Sequence, residues 1–185
     1  DIKAVIITTQ FNTHYALIKK ALMADKDVFT EKPIADTLEK ARELISLAKE
    51  KGLLLVVGYL YMTERDFYKL KILMRRGFFG EVRRVNLIML NPVDGRKLDY
   101  SSNVIEDLGV HQLSILLMLF GKQRIINPQV EAEGEQANIR FNYGRVVVNI
   151  ELDRHYKGSR LREVAVWADK ASVILDYTHP ERAID

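Results

Sequence analysis

Cysteine is absent from all 185 residues, which excludes disulfides and thiolate metal sites in this chain. No apolar run approaches the roughly 18 residues a membrane helix needs; residues 110–120 are apolar but too short, and read as a buried helix. Neither sign of charge dominates: 28 Lys and Arg face 25 Asp and Glu, a net +3 that is only mildly basic. A nucleophile elbow, a zinc-binding helix motif and a phosphate-binding P-loop are all missing, as are internal repeats and low-complexity segments. The basic stretch Lys69, Lys71, Arg75, Arg76, Arg83 and Arg84 reads as a solvated helix face with a phosphate contact as its rival, and nothing there interleaves aromatics with base-reading side chains. Neither nucleic acid nor a membrane is an expected partner. The chain opens on Asp1 and a strand pattern instead of a signal-peptide pattern, and so reads as a sequence entered partway through. Without cysteine, a reducing cytoplasm is the expected compartment.

What is present is ordinary globular composition, 48% hydrophobic and 29% charged. Ala4 to Thr9 is a β-branched run expected to form a parallel strand covered on both faces. A helix is predicted over 13–24, and a short strand over 27–30 that ends at Glu31-Lys32-Pro33. Asp36, with Glu39 three residues on, predicts a capping box for a helix stopped by Gly52. Leu53 to Val57 predicts a third strand, closed by Gly58. Strand alternating with helix argues for a parallel α/β unit.

After Gly58 the pattern changes. A helix over 64–76 leads to a strand at 82–90, a polar irregular stretch at 91–102, and a helix opened by a second capping-box pair, Asn103 and Glu106, and closed at Phe120-Gly121. Beyond it the period falls to two: Ala137, Ile139, Phe141 and Tyr143, then Val146, Val148, Ile150 and Leu152, then 164–168 and 173–177, with tight turns between. This predicts a mostly antiparallel open sheet. The domains expected are 1–59 and 60–185, α/β followed by α+β.

Two short stretches carry the chemistry. Lys32 precedes a proline, which holds its backbone extended at the end of a parallel strand, where such sheets bind ligands. There it can donate to a substrate oxygen; the rival reading is a surface lysine in a loop. Asp107 and His111, four apart on one helix face, can orient and move a proton, histidine being the side chain that titrates near neutrality. Their rival reading is a helix-surface pair, against which stands the apolar character of the surrounding helix. His14 opens a helix after a strand and reads as a ligand contact or as a cap or packed loop residue. His155 and His179 lie in turns without metal-ligand spacing, and no metal is expected.

Taken together, the first strand with His14, Lys26 to Pro33, Val57-Gly58-Tyr59, the 77–82 turn and Glu106 to Leu113 stand in an order that resembles the Gfo/Idh/MocA oxidoreductase family, the relatives of glucose–fructose oxidoreductase and inositol dehydrogenase. The resemblance implies a Rossmann domain followed by an α/β domain with a large open sheet. It implies hydride transfer between NAD or NADP and a hydroxyl or carbonyl carbon of a sugar, cyclitol or related polyol. By that likeness Lys32 orients the reacting oxygen, His111 is the general acid/base, and Asp107 positions His111 or the substrate. Glu31 would shape the cofactor pocket, with Pro33, Thr9, Asn12 and His14 beside it. Arg96 and Tyr100 fall in the expected specificity segment, and a homo-oligomer would form through the open sheet.

The chain departs from the family pattern at several points. None of its ten glycines forms G-x-G-x-x-G, so in family terms the sequence begins at about the fourth Rossmann strand and lacks the N-terminal half of that domain. Gln10-Phe11 stands where relatives carry Pro-Asn, and Ser114 where they carry Asp. Residues 1–185 by themselves are expected to be inactive and to bind little dinucleotide. A truncated, non-catalytic assembly module is the alternative reading.

Overall fold

Two successive strand–helix–strand steps build the first compact unit, residues 1–59, in a computed structural model that describes residues 2–93 and 102–178. Strand β1 (Ala4–Ile7) leads through a 3-10 turn at Phe11–Thr13 into α1 (His14–Met23); β2 (Asp27–Glu31), α2 (Leu38–Glu50) and β3 (Leu55–Gly58) follow. The three strands pair in parallel in sequence order, with Ile7 beside Thr30 and Glu31 beside Gly58. Ile18 and Leu22 of α1 and Leu44 and Ala48 of α2 join Ile7 and Val28 in one apolar cluster.

Both helices therefore lie on one face of the sheet, which corrects the expectation of strands covered on both. Two crossovers in the same direction put their helices on the same side. The alternate residues Ile6, Phe29 and Val56 remain 73%, 39% and 47% exposed, although apolar. The capping expectation for α2 shifts by one residue: the Thr37 hydroxyl accepts from the Lys40 amide at 3.2 Å, while Asp36 pairs with the Lys40 ammonium at 2.7 Å. Gly52, with φ at +64°, ends the helix where only a residue free of Cβ strain sits comfortably.

The second unit, residues 60–185, is larger. A 3-10 turn at Leu60–Thr63 leads into α3 (Arg65–Arg75) and β4 (Val82–Pro92). After a π-helical turn at Ile105–Gly109 come α4 (Val110–Phe120), β5 (Ile125–Glu133), β6 (Gln136–Tyr143), β7 (Val146–Tyr156), β8 (Leu161–Ala168) and β9 (Ser172–Asp176). The six strands run in the order β5-β6-β7-β4-β8-β9, antiparallel except for the central β4–β7 pair. This is the expected architecture of a parallel sheet followed by a larger, mostly antiparallel open one.

Period-two alternation decides which face is buried. Val85, Leu87 and Met89 of β4, Val148, Ile150 and Leu152 of β7, and Val164 and Val166 of β8 pack with Phe67 and Leu70 of α3 and Ile115 and Leu116 of α4. The opposite face carries Asn86, Asn149, Arg140 and Glu151. There the Asn149 amide donates to the Asn86 carbonyl oxygen at 2.8 Å. No helix among the described residues is long and apolar enough to cross a membrane.

Candidate active site

The carboxyl ends of β1, β2 and β3 fall side by side, as parallel pairing requires, and that edge is where open α/β sheets hold ligands. Thr9, Glu31, Lys32, Pro33 and Gly58 all lie along it. His14 organises the edge from beneath. Its ring is 1% exposed, with Nδ1 2.8 Å from the Pro33 carbonyl oxygen and Nε2 3.0 Å from that of Thr9. One buried imidazole thus ties the loop after β1 to the Lys32-Pro33 peptide, which is cis. Both partners are acceptors, so a neutral ring can donate only one of the two bonds.

The remaining residues along this edge are more open. Thr9 and Thr13 share a hydroxyl–hydroxyl bond of 2.6 Å, and Thr13 also donates to the Gln10 carbonyl at 2.7 Å, which shapes the 3-10 turn carrying the exposed Asn12. A Cβ at Gly58 would meet Phe29 Cζ at 3.2 Å and Glu31 Oε1 at 3.3 Å, so the absent side chain lets the Glu31 carboxylate lie across the end of β3.

The second cluster sits in the other unit, at the junction between the π turn and α4. The capping pair read from the sequence is there. Asn103 Oδ1 accepts from the Ile105 and Glu106 amides at 3.0 and 2.9 Å, and Glu106 accepts from the Asn103 amide at 3.2 Å. The helix it opens is not α-helical throughout. Residues 105–109 form a π turn, a feature that recurs at functional sites, and Asp107 rides on it four residues before His111.

The sequence reading missed the group that fixes Asp107. Arg154 of β7 is 4% exposed; its Nη1 lies 3.5 Å from Asp107 Oδ2 and donates to the Ser102 carbonyl at 3.0 Å. Its Nε donates to Glu135 Oε2 at 2.6 Å, and Nη2 is 2.5 Å from the same oxygen. A buried guanidinium with two carboxylates and a carbonyl is well compensated. The only signal in the sequence was a charged pair, Asp153-Arg154, interrupting an apolar alternation.

His111 is half-buried against a ring that the sequence reading also missed. Tyr61 packs edge-on to the imidazole, with centroids 5.1 Å apart at 79°. Tyr61 is 3% exposed and accepts from Arg162 Nη1 at 2.6 Å. Burial, more than any charge nearby, pushes its phenol above the ordinary value. Tyr177 packs on Tyr61 at 5.0 Å and exchanges hydrogen bonds with Gln112 at 3.0 and 3.3 Å; burial raises its phenol as well. Ser114 turns its hydroxyl back to the His111 carbonyl at 2.7 Å.

Lys32 belongs to the first compact unit, and Asp107 and His111 to the second. Arg96 and Tyr100 lie outside the described residues, as does His179. No group of three or more metal-ligating side chains occurs among the described residues.

Residues 1–59 match the model of the Gfo/Idh/MocA family, an oxidoreductase family with an NAD-binding Rossmann fold. The chain is 33% identical over 177 residues to UDP-N-acetylglucosamine 3-dehydrogenase of Acidithiobacillus ferrooxidans, covering 92% of this chain and 54% of that protein. It is 30% identical over 141 residues to an uncharacterized oxidoreductase of Escherichia coli, covering 75% of this chain and 41% of the relative. In fold it is similar to an inositol dehydrogenase homolog from Azotobacter vinelandii, solved with NADH and myo-inositol. The TM-score there is 0.89 at 23% identity, over 97% of this chain and 52% of that one. The chain spans about half the length of the curated relatives it matches. A Gfo/Idh/MocA-like oxidoreductase relationship is well supported.

Proposed function

We propose that the whole protein is an NAD- or NADP-dependent oxidoreductase acting on a CH–OH carbon of a sugar, cyclitol or related polyol. The observation that carries this reading is the coincidence of two separately built arrangements. One is a lysine at the end of a parallel sheet; the other is a histidine that follows an arginine-fixed aspartate on a π turn. Kinship supports it: the Acidithiobacillus ferrooxidans relative is named as a dehydrogenase of a sugar nucleotide, and the Azotobacter vinelandii structure was solved with NADH and myo-inositol.

The polar groups along the strand ends suit the nicotinamide side of a dinucleotide. Thr9, Asn12, Glu31 and Pro33 line that edge, with His14 acting through the loop it ties. When bound, NAD(P) supplies the hydride acceptor or donor. Lys32 donates to the reacting oxygen and so favours its alkoxide character. His111 takes the hydroxyl proton during oxidation and returns it during reduction. Asp107 holds His111 or a substrate hydroxyl in place, itself held by Arg154. Arg96 and Tyr100 contribute substrate contacts. We also propose a homo-oligomer assembled through the polar open face of the six-stranded sheet, and a cytoplasmic setting.

The test is nicotinamide absorbance with the full-length protein against myo-inositol, scyllo-inositol and a panel of aldoses and nucleotide sugars. Turnover of one member, lost by about 10²- to 10⁴-fold in His111→Ala, is the expected result. Turnover at the wild-type rate without His111 would remove the proposed chemistry.

A further inference from the structure

Two arginines on the six-stranded sheet have opposite surroundings. Arg154 is matched by Glu135 and Asp107. Arg162, at the start of β8, is not matched by any acid among the described residues. Its Nη1 donates to the Tyr61 hydroxyl at 2.6 Å and its Nη2 to Asn91 Oδ1 at 3.2 Å, both neutral groups. Its backbone amide donates to the Thr178 hydroxyl at 2.9 Å. Its Nε is buried without a hydrogen-bond partner among the described residues.

A guanidinium cannot escape such a place by losing its proton, because it stays charged at any ordinary pH. The side chain is half-buried, and taking part of a charge out of water with no acid beside it among the described residues is costly; a buried donor left unsatisfied adds to that cost. A merely structural tie to Tyr61 would be served as well by a neutral donor. Positive charge here is reinforced, since Lys157 and Arg160 occupy the hairpin between β7 and β8, and the Arg160 charge, like that of Arg162, acts on the Tyr61 phenol. Glu64 is the acid that also acts on that phenol, and it forms no ion pair with Arg162 among the described residues.

Position gives this charge a purpose. The Tyr61 ring lies 5.1 Å from the His111 imidazole and 5.8 Å from the Arg162 guanidinium carbon. One ring thus spaces the imidazole from the unmatched cation, a span that a single substituted sugar can bridge.

We propose that Arg162 anchors a subsite for the anionic substituent, carboxylate or phosphate, of a sugar whose reacting carbon lies at His111. This rests on the reading of His111 as the acid/base. It narrows the substrate class from polyols in general to acidic sugars or sugar phosphates. Tyr61 acts as the spacer, and the counter-ion that the described residues do not supply is brought by the ligand.

The test measures binding of D-glucuronate, D-glucose 6-phosphate and neutral D-glucose to the full-length protein by calorimetry, with the His111 ring followed by NMR. Both anions, or one of them, should bind roughly 10- to 100-fold more tightly than glucose and move the His111 resonances. The two anions tell carboxylate from phosphate recognition. Arg162→Gln should bring anion affinity down to the glucose level, and Arg162→Lys should keep part of the preference. Equal affinity for all three sugars overturns the proposal, as does a preference that survives in Arg162→Gln or leaves the His111 resonances unmoved. Should Arg162→Gln fail to fold, Arg162→Lys carries the test through its partial preference. Turnover of the same sugars by the wild-type protein separates the two ideas. Anion preference in a wild-type protein that turns over none of them with NAD or NADP sinks the oxidoreductase reading and leaves the subsite standing.

Discussion

The two compact units solve the same problem, an open sheet, in different ways. The six-stranded sheet of the second unit buries one face under α3 and α4 in a single continuous core and turns a polar face outward, with Asn86, Arg140, Asn149 and Glu151 along it. The three-stranded sheet of the first unit buries one face in a small core and turns Ile6, Phe29 and Val56 outward. A polar open face is stable in water by itself, whereas an apolar row of that kind asks for a cover. The lysine thus sits on the less self-sufficient unit, and the imidazole is braced by the more complete core. Their stabilities should be separable.

The largest expected effect tests that separation. Phe67→Ala, at a fully buried site, should cost the second unit about 3–5 kcal/mol in denaturant unfolding while amide exchange in β1–β3 stays unchanged. Leu44→Ala, also fully buried, should cost about 2–5 kcal/mol and raise exchange in the first unit alone. Either substitution loosening both units equally would erase the distinction. Next comes the brace beneath Asp107. Arg154→Met leaves Glu135 and Asp107 facing a gap that held a guanidinium, and should destabilise by about 3 kcal/mol, read from the denaturation midpoint.

The helix starts allow a finer comparison. Asn103→Ala removes the acceptor for two amides and Thr37→Ala the acceptor for one, so the former should lose more of a cost of about 0.5–2 kcal/mol per cap.

The smallest effect is in acid. Hydrogen bonding to Lys51, Lys40 and Lys19 holds Asp25, Asp36 and Glu43 below the ordinary carboxylate range in the first unit, and Arg83 does the same for Asp169 in the second. A depressed folded-state pKa contributes stability that is present above the unfolded value and lost as pH falls through the folded one. All four are surface pairs, so the first unit should lose slightly more than the second below the carboxylate range. Added salt should blunt the difference, as thermal melts of Asp25→Asn and Asp169→Asn would register.

Much of the fold was legible because period and punctuation agreed. Gly52, the Asn103–Glu106 pair and the alternation through β6 and β7 each had a local cause that the structure keeps. Strand β5 was missed since all nine of its residues are exposed, so no alternation marks it, and a bulge around Asn127 breaks its register. The π turn was missed because apolar spacing cannot distinguish it from α-helix. Gly109 was the clue: a Cβ there would stand 3.3 Å from Ile105 and 3.5 Å from Leu152, so its absence lets the widened turn lie close on β7. Lys32, Asp107 and His111 were legible as residues of chemistry. Arg154, Tyr61 and Arg162 were not, since their roles arise from pairings 47, 50 and 101 residues apart along the chain.

That lysine and histidine serve one proton is tested most directly by a double-mutant cycle on turnover by the full-length protein. Lys32→Ala, His111→Ala and the double variant would be compared in kcat on the best substrate. If both groups act on the same oxygen, the double variant should be scarcely slower than the slower single variant, since a second loss from a site already disabled counts for little. Losses that multiply in full would mean that the two side chains work independently, and would contradict the account.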